Sequence, residues 1–235
     1  MNLADPERVG PGTCVRGMIR SCFWSIDDEQ GDALRAAAIF LPLTACLAAM
    51  ASSATADSPL TLTVRIYNSA HIPAPTLVTA RRTAESMFED TGLHVILRSC
   101  GSRSSVADPI DPCSEPLKPA EFVVRVVDAP VFNPALHPEA FGVAYVVKET
   151  NRGWLATVFA DRIRGASAGL GVEDGTLLGL VTAHEIGHLL LGVGYHGEAG
   201  VMRADWQGQL VSGAREQWHF SPLEAAAMRQ AAVDF

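Results

Sequence analysis

Between residues 60 and 67, Leu, Val and Ile alternate with Thr and Arg. This is the period of two that puts one face of a strand in a core and the other toward water. Pro73 and Pro75 then mark a loop, and over residues 76–90 the period changes: Leu77, Ala80, Ala84, Met87 and Phe88 fall on one side of a helix. Thr91-Gly92 ends it, and residues 93–98 read as a second short strand. Three further strands are predicted at 122–127, 140–147 and 155–159, the first two of them separated by a proline-containing stretch. In the segment 140–147, Phe141, Val143, Tyr145 and Val147 share one face. Residues 161–168 suit a short helix and 169–175 a loop. Residues 176–191 lack proline and are rich in Leu, Val and Ala, so they read as a buried helix. Gly192 closes it, in the position where a left-handed cap is favoured. A last helix starts after Ser221, with Pro222 in its first turn and Glu224 placed to complete a capping box. No internal repeat is present, and the order of strands and helices defines an α+β fold.

Composition sharpens this picture at two points. Of 235 residues, 48% are apolar, enough for a proper core, and the formal charge of −8 comes without any Lys/Arg block. A nucleic-acid partner is therefore not expected. The apolar run 36–50 gives way to small residues, and Ala54-Thr55-Ala56 has the form that a signal peptidase cuts. We read residues 1–56 as a leader, with a signal peptide over 36–56. Residues 57–235 are then one domain, with an N-terminal lobe (57–192) and a C-terminal lobe (193–235). The run is short for a membrane span and is broken by Pro42, so no stable span is expected in the mature chain. The expected location is secreted or periplasmic; the alternative is anchoring through a lipidated Cys46, because Leu43-Thr44-Ala45-Cys46 also resembles a lipoprotein processing box. Cys14, Cys22 and Cys46 fall in the leader, which leaves Cys100 and Cys113 flanking a polar loop. An even pair in an oxidising compartment reads as a disulfide, in preference to ligands for a second metal.

The chemistry lies in His184-Glu185-Ile186-Gly187-His188, inside the predicted buried helix. At roughly 100° per residue, positions four apart are offset by only about 40°, so both imidazoles project from one face, one turn apart. That spacing lets two nitrogens reach one zinc, and it places Glu185 beside the open coordination position as a general base. Burying two imidazoles and a carboxylate in so apolar a helix is costly without a metal or hydrogen-bond partners. Zinc needs a third protein ligand. After Gly192, Val193-Gly194-Tyr195 turns the chain and His196 follows, able to return to the metal from outside the helix. Glu198, Asp205, Glu216 and His219 are the competing ligands, none in so suitable a turn. His71, His94, His137 and His219 stand singly and read as surface or satisfied core residues, and Trp154, Trp206 and Trp218 as packing aromatics.

The string HEIGHLLLG, then His196, then Gly200-Val201-Met202 and Trp206, resembles the metzincins, zinc endopeptidases with the motif HExxHxxGxxH and a methionine turn. In particular it resembles short secreted bacterial metzincin-like proteins. Here Gly192 comes one residue later than the family motif, His196 comes two later, and Ala204 stands where some members have tyrosine. The resemblance implies His184, His188 and His196 as zinc ligands, Glu185 as base, Gly192 as helix breaker and Met202 as the turn methionine. It also implies a zincin-like mixed twisted sheet with an active-site helix and a small C-terminal subdomain, and an antiparallel edge strand above that helix that pairs with an extended peptide. Gly142, Val143, Ala144 and Tyr145 are the residues in that position.

These readings converge on a monomeric zinc metallopeptidase acting on a peptide or protein substrate. Two alternatives stay open: a non-catalytic secreted module that keeps zinc for structure or adhesion, and a hydrolase of another amide such as a cell-wall peptide.

Overall fold

The structure, a computed structural model, describes residues 60–101, 113–128, 140–192, 194–204, 206 and 218–235. The leader, its cleavage site, Cys46, His137, Asp205 and Glu216 lie outside the described residues. In chain order the elements are β1 (Leu60–Asn68), α1 (Ala74–Phe88), β2 (Leu93–Cys100), β3 (Glu121–Val127), β4 (Gly142–Val147) and β5 (Arg152–Phe159). There follow α2 (Ala160–Leu170), α3 (Asp174–Leu191) and a last helix, α4 (Pro222–Val233). The class is α+β as the pattern predicts, with one mixed sheet in the order β2-β1-β3-β5-β4. Neighbours run parallel except β4, which lies antiparallel to β5 at the edge.

The alternation over β1 does what its period requires. Leu62, Val64 and Ile66 enter the core together with Val95 and Leu97 of β2, Phe122, Val124 and Val126 of β3, and Ala156 and Val158 of β5. Against them lie Ala80, Ala84 and Phe88 of α1 and nearly every residue of α3. Leu177, Leu178, Leu180, Val181, Ile186, Leu189 and Leu190 are all buried. Each such side chain stabilises by about 1.5–3 kcal/mol on burial, and among them the polar His184, Glu185 and His188 are buried as well.

Three local expectations need correction. Gly192 is not a left-handed cap: its N–H closes the helix on His188 O at 2.9 Å, and the residue then sits at φ 93°, ψ −171°. That conformation favours glycine, and a Cβ there would overlap the side chain of Asn151. The face predicted for β4 holds at Val143 and Tyr145, which pack with Ala140 and Phe159 in a small separate cluster, while Ala144 and Val146 alternate into the main core. Phe141, just ahead of the strand, departs from that face and packs against the main core. The short helix before α3 begins directly at the end of β5 and extends to Leu170, leaving only three residues of connection. Its end is where a left-handed glycine does occur, at Gly171 with φ 66°.

The capping box of α4 forms as its residues dictate. Ser221 Oγ accepts from Glu224 N at 3.3 Å, and the Glu224 carboxylate accepts from Ser221 N at 2.6 Å. Cys100 and Cys113 are joined in a disulfide with their Cα atoms 5.8 Å apart. No helix among the described residues is long and apolar enough to cross a membrane.

Candidate metal centre

His184 and His188 project from the same face of α3, as their spacing requires, with Nε2 atoms 3.0 Å apart. His196, outside the helix, completes a group whose ligand nitrogens all lie within 4.8 Å of one another. Its ring centroid is 4.9 Å from that of His188 and 5.5 Å from that of His184. The turn that returns it is tied by Gly197 N–H donating to Met202 O at 2.9 Å, and by a bridge between Gly197 and Arg203. Of the competing ligands, Glu198 and His219 are exposed and stand outside the cluster. His71 and His94 are likewise exposed.

The second layer is one that spacing alone does not give. His184 Nδ1 lies 2.7 Å from the Val201 carbonyl, so this nitrogen carries the proton and donates, leaving Nε2 with its lone pair toward the cluster. Met202 is fully buried beneath α3, and a Cβ on Gly187 would overlap its sulfur. The small residue between the two histidines therefore admits Met202 under the helix. Trp206, also fully buried, packs edge-on against His184 at 5.3 Å and against Trp218 at 5.0 Å. The metzincin resemblance points to Met202 in this floor, and Gly187, a glycine amid bulky neighbours on α3, is the residue that makes room for it.

Electrostatically the group favours neutral rings. Burial drives the His184 pKa down to about 3, against a modest opposing effect of the Val201 carbonyl and with added repulsion from His196. Burial also pushes His188 well below the ordinary imidazole value, helped by His184 and His196, and lowers His196. A neutral imidazole is the form that ligates a metal. Both ring nitrogens of His196 are buried and have no hydrogen-bond partner among the described residues. Leaving such atoms unmade is expensive, and a bound metal would satisfy one of them. The residues present therefore suit a metal ion.

Glu185 is 1% exposed, with its carboxylate against the first residue of β4. A Cβ on Gly142 would come within 2.6 Å of Glu185 Oε1, so only glycine leaves the carboxylate its room. Gly142, Val143, Ala144 and Tyr145 thus lie on an antiparallel edge strand that begins beside Glu185. Asn151, in the turn after β4, packs against Gly192 at the end of α3, which ties this hairpin to the helix of the site.

The fold and the cluster together define a mixed α+β chain with a three-histidine group, two of its members buried and His196 half-buried, able to hold a metal ion. Comparison with protein-family models gives no match. Comparison with curated proteins gives none either.

Proposed function

We propose that the chain is a secreted zinc-dependent endopeptidase of metzincin type. The observation that carries this reading is the convergence of His184, His188 and His196 next to a buried glutamate on the same helix. Three protein ligands leave a coordination position open, as catalytic sites do, whereas structural zinc sites are closed by four. The disulfide supports an oxidising compartment. The antiparallel edge strand and the buried methionine beneath the helix support the metzincin comparison.

His184, His188 and His196 would hold the ion, with His184 kept in its tautomer by the Val201 carbonyl. When bound, zinc supplies Lewis-acid polarisation of the scissile carbonyl and lowers the pKa of the attacking water. Glu185 takes the proton from that water and delivers it to the leaving nitrogen. Residues 142–145 offer main-chain groups to an extended peptide, a mode of binding that makes little demand on its sequence.

The test is digestion of a peptide library by the mature chain, with and without a chelator. Internal cleavage that is abolished by the chelator and restored by zinc is the expected result. A preparation that carries one zinc per chain and cuts no peptide contradicts it, and leaves the non-catalytic module or the hydrolase of another amide.

A further inference from the structure

We propose that Glu224 and Tyr195 are positioning residues for the third ligand, holding His196 through its two neighbours in the chain. The inference rests on the zinc reading above. The His184 ring is oriented directly, by the Val201 carbonyl. His196 has no such hydrogen bond on either nitrogen among the described residues; it is held by the turn that carries it and by ring contacts with His184 and His188.

Glu224, in the first turn of α4, meets that turn on both sides of His196. Tyr195 Oη donates to Glu224 Oε1 at 3.1 Å. Gly197 lies against the same oxygen, so closely that a Cβ there would come within 2.5 Å of it. The other carboxylate oxygen, Oε2, accepts from Ser221 N. A capping box uses one carboxylate oxygen and works at a helix end open to water. Here the glutamate is 2% exposed, and its second oxygen is turned away from the helix onto the ligand turn. One side chain thus fastens the start of α4 to the segment that delivers His196. Groups bonded directly to a ligand change metal affinity by about 10–100-fold, and a hold exerted through the ligand's chain neighbours is expected at the lower end of that range.

The experiment titrates the purified mature chain with Zn²⁺ against a competing chelator and records the absorption spectrum of the Co²⁺ form. Tyr195→Phe should weaken zinc binding by about 10-fold and alter the cobalt spectrum; the metal-free chain keeps its circular dichroism but, with buried Glu224 Oε1 left without its donor, melts at a lower Tm. Ser221→Ala removes the hydroxyl half of the cap but keeps the Tyr195–Glu224 bond. It should lower the Tm of the metal-free chain and leave zinc affinity unchanged. Glu224→Gln should do both. A Tyr195→Phe variant with wild-type affinity and cobalt spectrum overturns the proposal. So does a Ser221→Ala variant that loses as much affinity as Tyr195→Phe, since helix stability alone would then account for both. A wild-type chain that takes up no zinc, or a His196→Ala variant that binds as tightly as the wild type, brings down the three-histidine reading itself and this inference with it.

Discussion

Arg65 is 2% exposed on β1, and what surrounds it shows how single residues hold the segment after the disulfide in place. Its guanidinium donates to the carbonyls of Glu115 (2.6 Å) and Pro116 (3.2 Å), and more weakly to that of Cys113, while Tyr67 Oη also donates to Cys113 O. The charge is balanced by Glu121, with which Arg65 forms a short ion pair. Burial raises the pKa of the Glu121 carboxyl, but the Lys118 N–H, the bond to Arg65 and the nearby positive charges outweigh it and leave the value below the ordinary 4.5. A carboxyl with a lowered folded-state pKa contributes stability that is full above its unfolded value and is lost as pH falls through the folded one. Urea unfolding should therefore show stability declining as pH drops below about 4.5, with a flatter decline in Glu121→Gln. Equal slopes for the two chains would exclude this pair as a source of acid sensitivity. The period-two pattern points away from this pair, assigning position 65 to the water-facing side of β1; the segment from Cys113 to Glu121 covers that side and buries the guanidinium. His184, Glu185 and His188 were legible for the opposite reason: helix geometry alone fixes their relation.

At the scale of elements, the run 176–191 declares a buried helix, but what lets α3 lie so close to α1 is two small residues. Gly175 and Gly179 face Thr76, Thr79, Ala80 and Thr83. A Cβ at Gly179 would come within 2.5 Å of Ala80 O and 2.6 Å of Thr83 Cβ, so the helices would have to part. Gly165, in α2, has nothing within 4 Å of the same position. Gly179→Ala should cost about 1–2 kcal/mol, overpacking outweighing the better helix propensity of alanine. Gly165→Ala should instead gain up to about 1 kcal/mol. Denaturant midpoints decide it, and two variants shifting the same way would refute the contact argument. The two sheet edges differ in a similar manner. On β2 the Leu97 N–H is taken by Glu85 of α1 at 3.1 Å, which blunts that edge against strand addition. The β4 edge begins beside Glu185. Strand periodicity predicted β4 from 140, but the bulge after Tyr145 was not readable, because it arises from pairing with β5 and not from either strand alone.

For the whole molecule, the cluster is assembled from three levels of the chain. A buried helix carries two imidazoles and a carboxylate, a turn beyond it returns the third imidazole, and the Val201–Met202 segment supports them from below. The sequence made the ligands legible and, through the metzincin resemblance, Met202 beneath them. The parts played by Val201 and Gly187 were not legible, since they act through a backbone oxygen and a missing Cβ, and Glu224 was readable only as a helix cap. The central claim is that Glu185 performs proton transfer at a metal held by the three histidines. The most direct measurement is hydrolysis of a denatured protein by zinc-loaded Glu185→Gln beside the wild type, with zinc content determined on the same samples. One zinc per chain is expected in both, and a rate lower by about 10²–10⁴-fold in the variant. A variant that retains its zinc and hydrolyses at the wild-type rate would contradict it.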